Sequence, residues 1–278
     1  MAAAAERVLG KATSRTGEHL LGIVTLVALG VSAVLSLVVA PPDAVQGEVQ
    51  RIMYVHVPAA WLAYLSFFVV FIASIAYLKT KKTRWDRVAA ASAEIGVLFT
   101  SLAIVLGMLW GKPVWGTWWT WDPRLTTTAV LLLIYVAYLA IRRITDNPSR
   151  RARWAAVIGI VGFIDVPIVH LSVVWWRSLH QGPTVFRLGG PEIEGTMLLA
   201  LLVAVAAFTI TYAYLMTLRL RVGRLEEREQ HRPLDLGPAE PEHRRPLVQR
   251  TPPHDREVHD RHVDEPDDPD HRRPACPP

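Results

Sequence analysis

The chain has 278 residues, 51% of them hydrophobic, with ten tryptophans, one cysteine and a net charge of +5. The lone Cys276 excludes an intrachain disulfide, a CxxC redox motif and a thiolate-cluster metal site. The basic excess would suit nucleic acid or anionic lipid, but most Lys and Arg sit in short loops between apolar runs, so membrane orientation accounts for them and no nucleic-acid partner is expected.

Six apolar runs reach the roughly 20 residues that a bilayer core demands. In chain order they are His19–Ala40, Tyr54–Leu78, Val88–Trp110, Leu125–Ile141, Trp154–Leu171 and Gly195–Leu218. Lys11 and Arg15 precede the first run, and Val38-Val39-Ala40 resembles a signal cleavage site. Its apolar core is longer than the roughly 7–15 residues of a cleaved leader, so it reads as a retained span. The expected fold is all-α, a six-span transmembrane helical bundle built from residues 19–221.

Alternate loops differ sharply in positive charge. One set comprises the N-terminal segment 1–18 with Arg7, Lys11 and Arg15, then Lys79, Lys81, Lys82, Arg84 and Arg87, then Arg142, Arg143, Arg150, Arg151 and Arg153, and finally the tail from Arg219. The other holds only Arg51, then Lys112 and Arg124, then Arg177 and Arg187. Positive charge marks cytoplasmic loops. Both termini are therefore expected in the cytoplasm, with loops 41–53, 111–124 and 172–194 facing outward. Residues 222–278 carry eleven of the twenty Pro and six of the ten His, with blocks such as Asp264-Glu265-Pro266-Asp267-Asp268. That composition buries too little apolar surface to offset ordering entropy, so a disordered cytoplasmic tail is expected.

Seven tryptophans fall in or beside two outward loops: Trp110, Trp115, Trp118, Trp119, Trp121, Trp175 and Trp176. An aromatic belt would distribute Trp over both interfaces, yet the inner side holds only Trp85 and Trp154. The run Trp115-Gly116-Thr117-Trp118-Trp119-Thr120-Trp121-Asp122 presents several flat faces, each with an N–H for a polar partner. Such a surface suits a large planar ligand with polar edges. Gly116 frees the backbone to turn or approach closely. Asp122 ahead of Pro123 is either a helix N-cap or a functional carboxylate.

Four histidines lie in the membrane domain: His19, His56, His170 and His180. His56, at the outward end of span two, and His180, in the third outward loop, fall on the side of the tryptophans. Two neutral imidazoles on opposite faces of a tetrapyrrole would supply both axial nitrogens to iron. Zinc sites want three or four protein ligands from Cys, His and carboxylate, which suits this set less. His170 at the end of span five is the next ligand candidate, and His19 reads as interfacial. A haem's propionates would need cationic partners; Arg124 and Arg177 are in the right loops, followed by Arg51 and Arg187. Asp165, inside span five and two residues before Pro167, is either functional or a partner for backbone donors freed by that proline. A bis-histidine electron carrier and a haem-free solute transporter are the competing readings. The first usually buries its histidines between helices, and the second predicts no Soret band.

The run Trp110-Gly111-Lys112-Pro113, the segment WGTWWTWDPRLT at 115–126, and Trp175-Trp176-Arg177-Ser178-Leu179-His180-Gln181-Gly182-Pro183 closely resemble the haem exporter protein C family (CcmC). The resemblance covers about residues 15–220, and the tail lies outside it. It implies a non-enzymatic protein of the bacterial inner membrane that handles haem b as transient cargo for cytochrome c maturation. Trp115, Gly116, Trp118, Trp119, Trp121, Asp122, Arg124, Trp175, Trp176 and Arg177 would form the haem-binding surface. His56 and His180 match the family's axial ligands. It further implies delivery to a membrane-anchored haem chaperone, protein E, within a complex containing an ABC-type ATP-binding subunit, a second membrane subunit and a small single-span subunit. ATP hydrolysis would belong to a partner, because the chain contains no GxxxxGK[ST] phosphate loop. The related cytochrome c haem lyases share the WGxxWxWD core but are longer and carry further transmembrane histidines, which favours delivery over ligation.

Overall fold

The computed structural model describes residues 15–182, 190 and 192–230. The described residues form seven α-helices: α1 (Arg15–Val34), α2 (Met53–Thr80), α3 (Thr83–Trp115), α4 (Pro123–Ile144), α5 (Pro148–Phe163), α6 (Asp165–Trp175) and α7 (Gly195–Gln230). A π-helical turn, Leu35–Val39, extends α1, and a 3₁₀ turn, Glu48–Ile52, leads into α2. Among the described residues, six stretches are long and apolar enough to cross a membrane: Thr16–Val39, Glu48–Thr80, Thr83–Trp115, Pro123–Ile144, Pro148–Trp175 and Gly195–Glu226. The described chain is an all-α multi-pass membrane protein.

The six expected spans are all present, and their ends differ for physical reasons. Helix α3 runs five residues past Trp110 and stops where Gly116 adopts a left-handed φ of 75°, its N–H donating to the Lys112 carbonyl at 3.0 Å. Pro113 does not end the helix earlier, even though its ring costs an i→i−4 bond. Trp115 is therefore helical, and the loop expected over 110–124 shrinks to Gly116–Asp122. Span five is two helices, because Ile164 closes a tighter turn onto Val161 just ahead of Pro167. Helix α7 continues to Gln230, into the segment expected to be disordered from residue 222. The added turns are rich in good helix formers, and ion pairs at this end anchor them: Arg219 with Glu94 on α3 and Glu226, and Arg221 with Glu18 on α1. The tail's six histidines and Cys276 lie outside the described residues, as do the N-terminal residues before Arg15.

Helices α2 and α3 form the central pair. Helices α4 and α5 pack on one side, and α7 on the other, with α1 outermost against α7. Apolar lipid gives helices no hydrophobic reason to associate, so close packing and interhelical hydrogen bonds must hold them. Both are present. Phe67 stacks on Tyr135 with centroids 3.6 Å apart, which Gly96 permits, because a Cβ there would lie 2.4 Å from the Phe67 ring. Ser92 Oγ donates to the Ser66 carbonyl and also meets the Tyr212 hydroxyl at 2.7 Å, joining α2, α3 and α7. At the end opposite the tryptophan loop, Arg142 of α4 grips Asp86 of α3 through two bonds, at 2.5 and 2.9 Å.

Candidate functional site

Loops 41–52, 116–122 and 176–182 converge at one end of the bundle around a cavity of about 320 Å³. One face of α2 supplies His56, Ala60, Ala63 and Tyr64, at the spacing of a helical stripe. Helix α3 supplies Ala103, Gly107, Trp110, Gly111 and Trp115. Small residues there leave room, and large aromatic rings give flat walls. Drug-sized ligands occupy pockets of about 300–1,000 Å³, so this cavity is of a size to hold an organic ligand or part of a larger one.

His56 lies near the start of α2 with its ring edge-on to Trp110, centroids 5.8 Å apart. Gly107 gives the ring its space: a Cβ there would sit 3.2 Å from His56 Cε1. The Nδ1 atom of His56 is buried without a hydrogen-bond partner. Trp110 is held by its N–H, which donates to Gln46 Oε1 at 2.8 Å. An indole only donates, so this bond fixes the Gln46 amide orientation and leaves its NH₂ free for a ligand.

His180 faces the same cavity from the third loop, 6.3 Å from the Trp115 ring centroid. Its Nδ1 lies 2.9 Å from the Gln181 carbonyl. A carbonyl only accepts, so Nδ1 carries the proton and Nε2 keeps its lone pair, the tautomer a metal ligand needs. Burial, reinforced by the Arg124 cation, holds the His180 pKa below the ordinary histidine value, which favours the neutral ring near pH 7.

Arg124 also lines the cavity. Its Nη2 donates to the His170 carbonyl at 2.9 Å and its Nε to that of Val169 at 3.3 Å, pinning α4 to α6. That leaves Nη1 to meet an anionic group. Asp122 lies just behind, only 6% exposed. It caps α4 by accepting from Arg124 N at 2.9 Å, and also accepts from Ser178 Oγ at 2.8 and 3.0 Å and Leu179 N at 2.6 Å. These donors hold its carboxyl below the usual carboxylate range even though burial pulls the other way. The two readings of Asp122 thus meet in one side chain that caps a helix and ties two loops together.

His56, His180, Trp115, Trp119 and Arg124 share the cavity, whereas Gly116, Trp118, Trp121, Asp122, Trp175, Trp176 and Arg177 do not line it. Trp121 is 81% exposed and meets Trp119 edge-on; Trp118, Trp175 and Trp176 are exposed too. Arg177 is exposed, and Arg51 is engaged by Glu48 and by the Ser36 and Ala40 carbonyls. Arg187 lies outside the described residues. His170 sits on α6 with its ring edge toward Tyr64 of the cavity wall, and His19 is exposed on α1. Asp165 opens α6, and its buried Oδ2 has no partner. Gln46, Tyr64 and Gly107 were not singled out in the sequence. Gly107, in the half of its apolar run nearest the tryptophan loop, carried the one usable signal, because such glycines mark close approaches.

A family model described as "Heme exporter protein C" matches residues 2–234. A protein of that name from Bradyrhizobium diazoefficiens is 45% identical over 187 residues, covering 67% of this chain and 70% of the relative. Another, from Haemophilus influenzae, is 38% identical over 208 residues, covering 75% and 85%. A cytochrome c biosynthesis ccmC-like mitochondrial protein of Marchantia polymorpha is 39% identical over 174 residues, covering 63% and 73%.

Proposed function

Because the chain belongs to the haem exporter protein C family, we propose that it binds haem b transiently between His56 and His180 and delivers it for c-type cytochrome maturation. The observation that carries this reading is the cavity where both imidazoles meet the indoles of Trp110, Trp115 and Trp119. Two neutral ring nitrogens satisfy an iron already held by four porphyrin nitrogens. The set lacks the three or four protein ligands a bare zinc ion would need, and the described residues contain no cluster of three or more His, Cys, Asp or Glu side chains.

The free Arg124 Nη1 and the Gln46 amide are the donors available to propionates. The exposed Trp118, Trp121, Trp175 and Trp176 would form a rim of indoles, each with an apolar body and an N–H for a polar partner. That rim would meet the acceptor, protein E, while the uncovered cargo edge is offered to it. The site would face the periplasm, with both termini in the cytoplasm, as the Lys and Arg distribution supports. The chain would work beside an ABC-type ATP-binding subunit, a second membrane subunit and a small single-span subunit, with ATP hydrolysed by the partner.

The test is the optical spectrum of the purified protein. A bis-histidine low-spin haem is expected in the wild type, with reduced haem loading or transfer in His56→Ala and His180→Ala. Full loading and full cytochrome c assembly in both single variants would refute the axial assignment.

A further inference from the structure

The two histidines are held in different ways. His56 belongs to a 28-residue helix, with its ring between Gly107 and Trp110 of the central partner helix, so it cannot leave unless α2 or α3 moves. His180 has no helix beneath it. Its backbone N–H donates to Ser178 Oγ at 3.1 Å, and Ser178 Oγ and Leu179 N both donate to Asp122. The Ser178–His180 arm thus hangs on one carboxylate, which belongs to the tryptophan loop.

Asp122 is buried beside the cavity without lining it, so its carboxylate does not face the cargo. On both sides the chain returns to the surface at once. Trp121 precedes Asp122 and is exposed, as are Trp176 and Arg177 ahead of Ser178. A protein engaging those side chains pulls on the two strands that the clasp joins.

We propose that Asp122 is a positioning residue that holds His180 over the iron, and that His180, not His56, is the axial group that lets go when haem is passed on. The proposal rests on the haem reading above and deepens it. Docking on the tryptophan rim shifts the loop carrying Asp122, the Ser178 and Leu179 bonds weaken, and His180 swings away while His56 keeps the cargo in place. No proton or electron is consumed, because one coordinate bond opens and the imidazole lone pair returns to the ring nitrogen.

The experiment uses the haem-loaded full-length protein with its co-purifying partners, and follows haem capture by apomyoglobin together with the low-spin spectrum. Asp122→Asn keeps Oδ1 for Arg124 N and Ser178 Oγ but turns an NH₂ toward the Leu179 N–H, which loses its acceptor, and Ser178→Ala removes the link to the His180 N–H while sparing the cap. Hydrogen bonds to a charged group, once lost, correspond to on the order of tenfold in an equilibrium, so capture about tenfold faster is expected in both. The double variant with His180→Ala should release haem no faster than His180→Ala alone, while the double with His56→Ala should show both effects. A merely structural Asp122 would add to either histidine variant alike. Wild-type release rates in Asp122→Asn and Ser178→Ala, or additivity with His180→Ala, would overturn the clasp. A wild-type protein lacking a bis-histidine spectrum would instead overturn the ligation reading, and the clasp with it.

Discussion

Replacing Gly107 with Ala separates the site from the fold. The new Cβ would stand 3.2 Å from Cε1 and 3.7 Å from Nδ1 of His56, against about 3.5–4.0 Å for relaxed carbon contacts. The imidazole must yield by a few tenths of an ångström, and Trp110 stands edge-on to it. Overpacking of this kind costs about 1–3 kcal/mol. If the ring tilts and misaims its nitrogen, a loss of about 1–2 kcal/mol weakens haem five- to thirtyfold. The backbone responds in the opposite sense, since Ala in a helix interior is favoured over Gly by up to about 1 kcal/mol. Haem-free protein should therefore unfold at the temperature of wild type or slightly below it, while haem per protein, measured as the pyridine haemochrome, falls. Gly30→Ala is the control, because nothing lies within 4 Å of its Cβ and it gains the same helix preference without touching His56. Wild-type haem affinity in Gly107→Ala would refute the placement of His56 as a ligand confined by that glycine.

The depressed pKa of His180 keeps its ring neutral below the pH at which an exposed histidine protonates, so the low-spin spectrum should persist through that range and fade only at lower pH. Its contribution to stability is likewise present above the ordinary histidine pKa and lost as pH falls through the folded value. Arg124→Gln removes the cation that assists burial, and a spectral titration should show loss beginning at higher pH; an unchanged midpoint would count against the coupling. Gln46→Leu leaves the Trp110 N–H without its acceptor, which should lower haem affinity about fivefold through the wall that faces His56, as read by haem titration. Gly96→Ala would place a Cβ 2.4 Å from the Phe67 ring, which is already stacked on Tyr135, and should destabilise the fold by about 1–3 kcal/mol in detergent unfolding without changing the spectrum of surviving protein.

Spans were legible because a bilayer imposes one length and one composition on any helix that crosses it. The same rule explains the errors at their ends. Hydropathy falls at Gly111-Lys112-Pro113, but whether α3 stops there depends on the cap, and Gly116, four residues after Lys112, supplies it. Likewise α7 continues to Gln230, past Arg219 and Arg221, which pair with residues far away in sequence, Glu94 and Glu18, contacts that no local window reveals. The break at Ile164 was hinted at by Pro167, although the turn that closes it lies three residues earlier.

The site was legible as residue types, and less so as roles. A dense tryptophan run promises flat aromatic walls but does not say which indoles face the cavity. Trp115, Trp119 and the preceding Trp110 line the cavity, whereas Trp118 and Trp121 turn outward, because the chain leaves its helix at Gly116 and the ring directions thereafter follow no fixed period. Arg177 and Arg124 were equivalent by loop and charge. Only Arg124 is drawn in, because its backbone opens α4 next to Asp122 and its guanidinium reaches carbonyls in the middle of α6. Asp122 illustrates the general reason. Its neighbours in sequence mark a cap, yet three of its hydrogen bonds go to Ser178 and Leu179, more than fifty residues away. A carboxylate of that kind converts two neighbouring loops, each too short to hold a shape alone, into one surface on which an aromatic shelf and an imidazole keep a fixed relation.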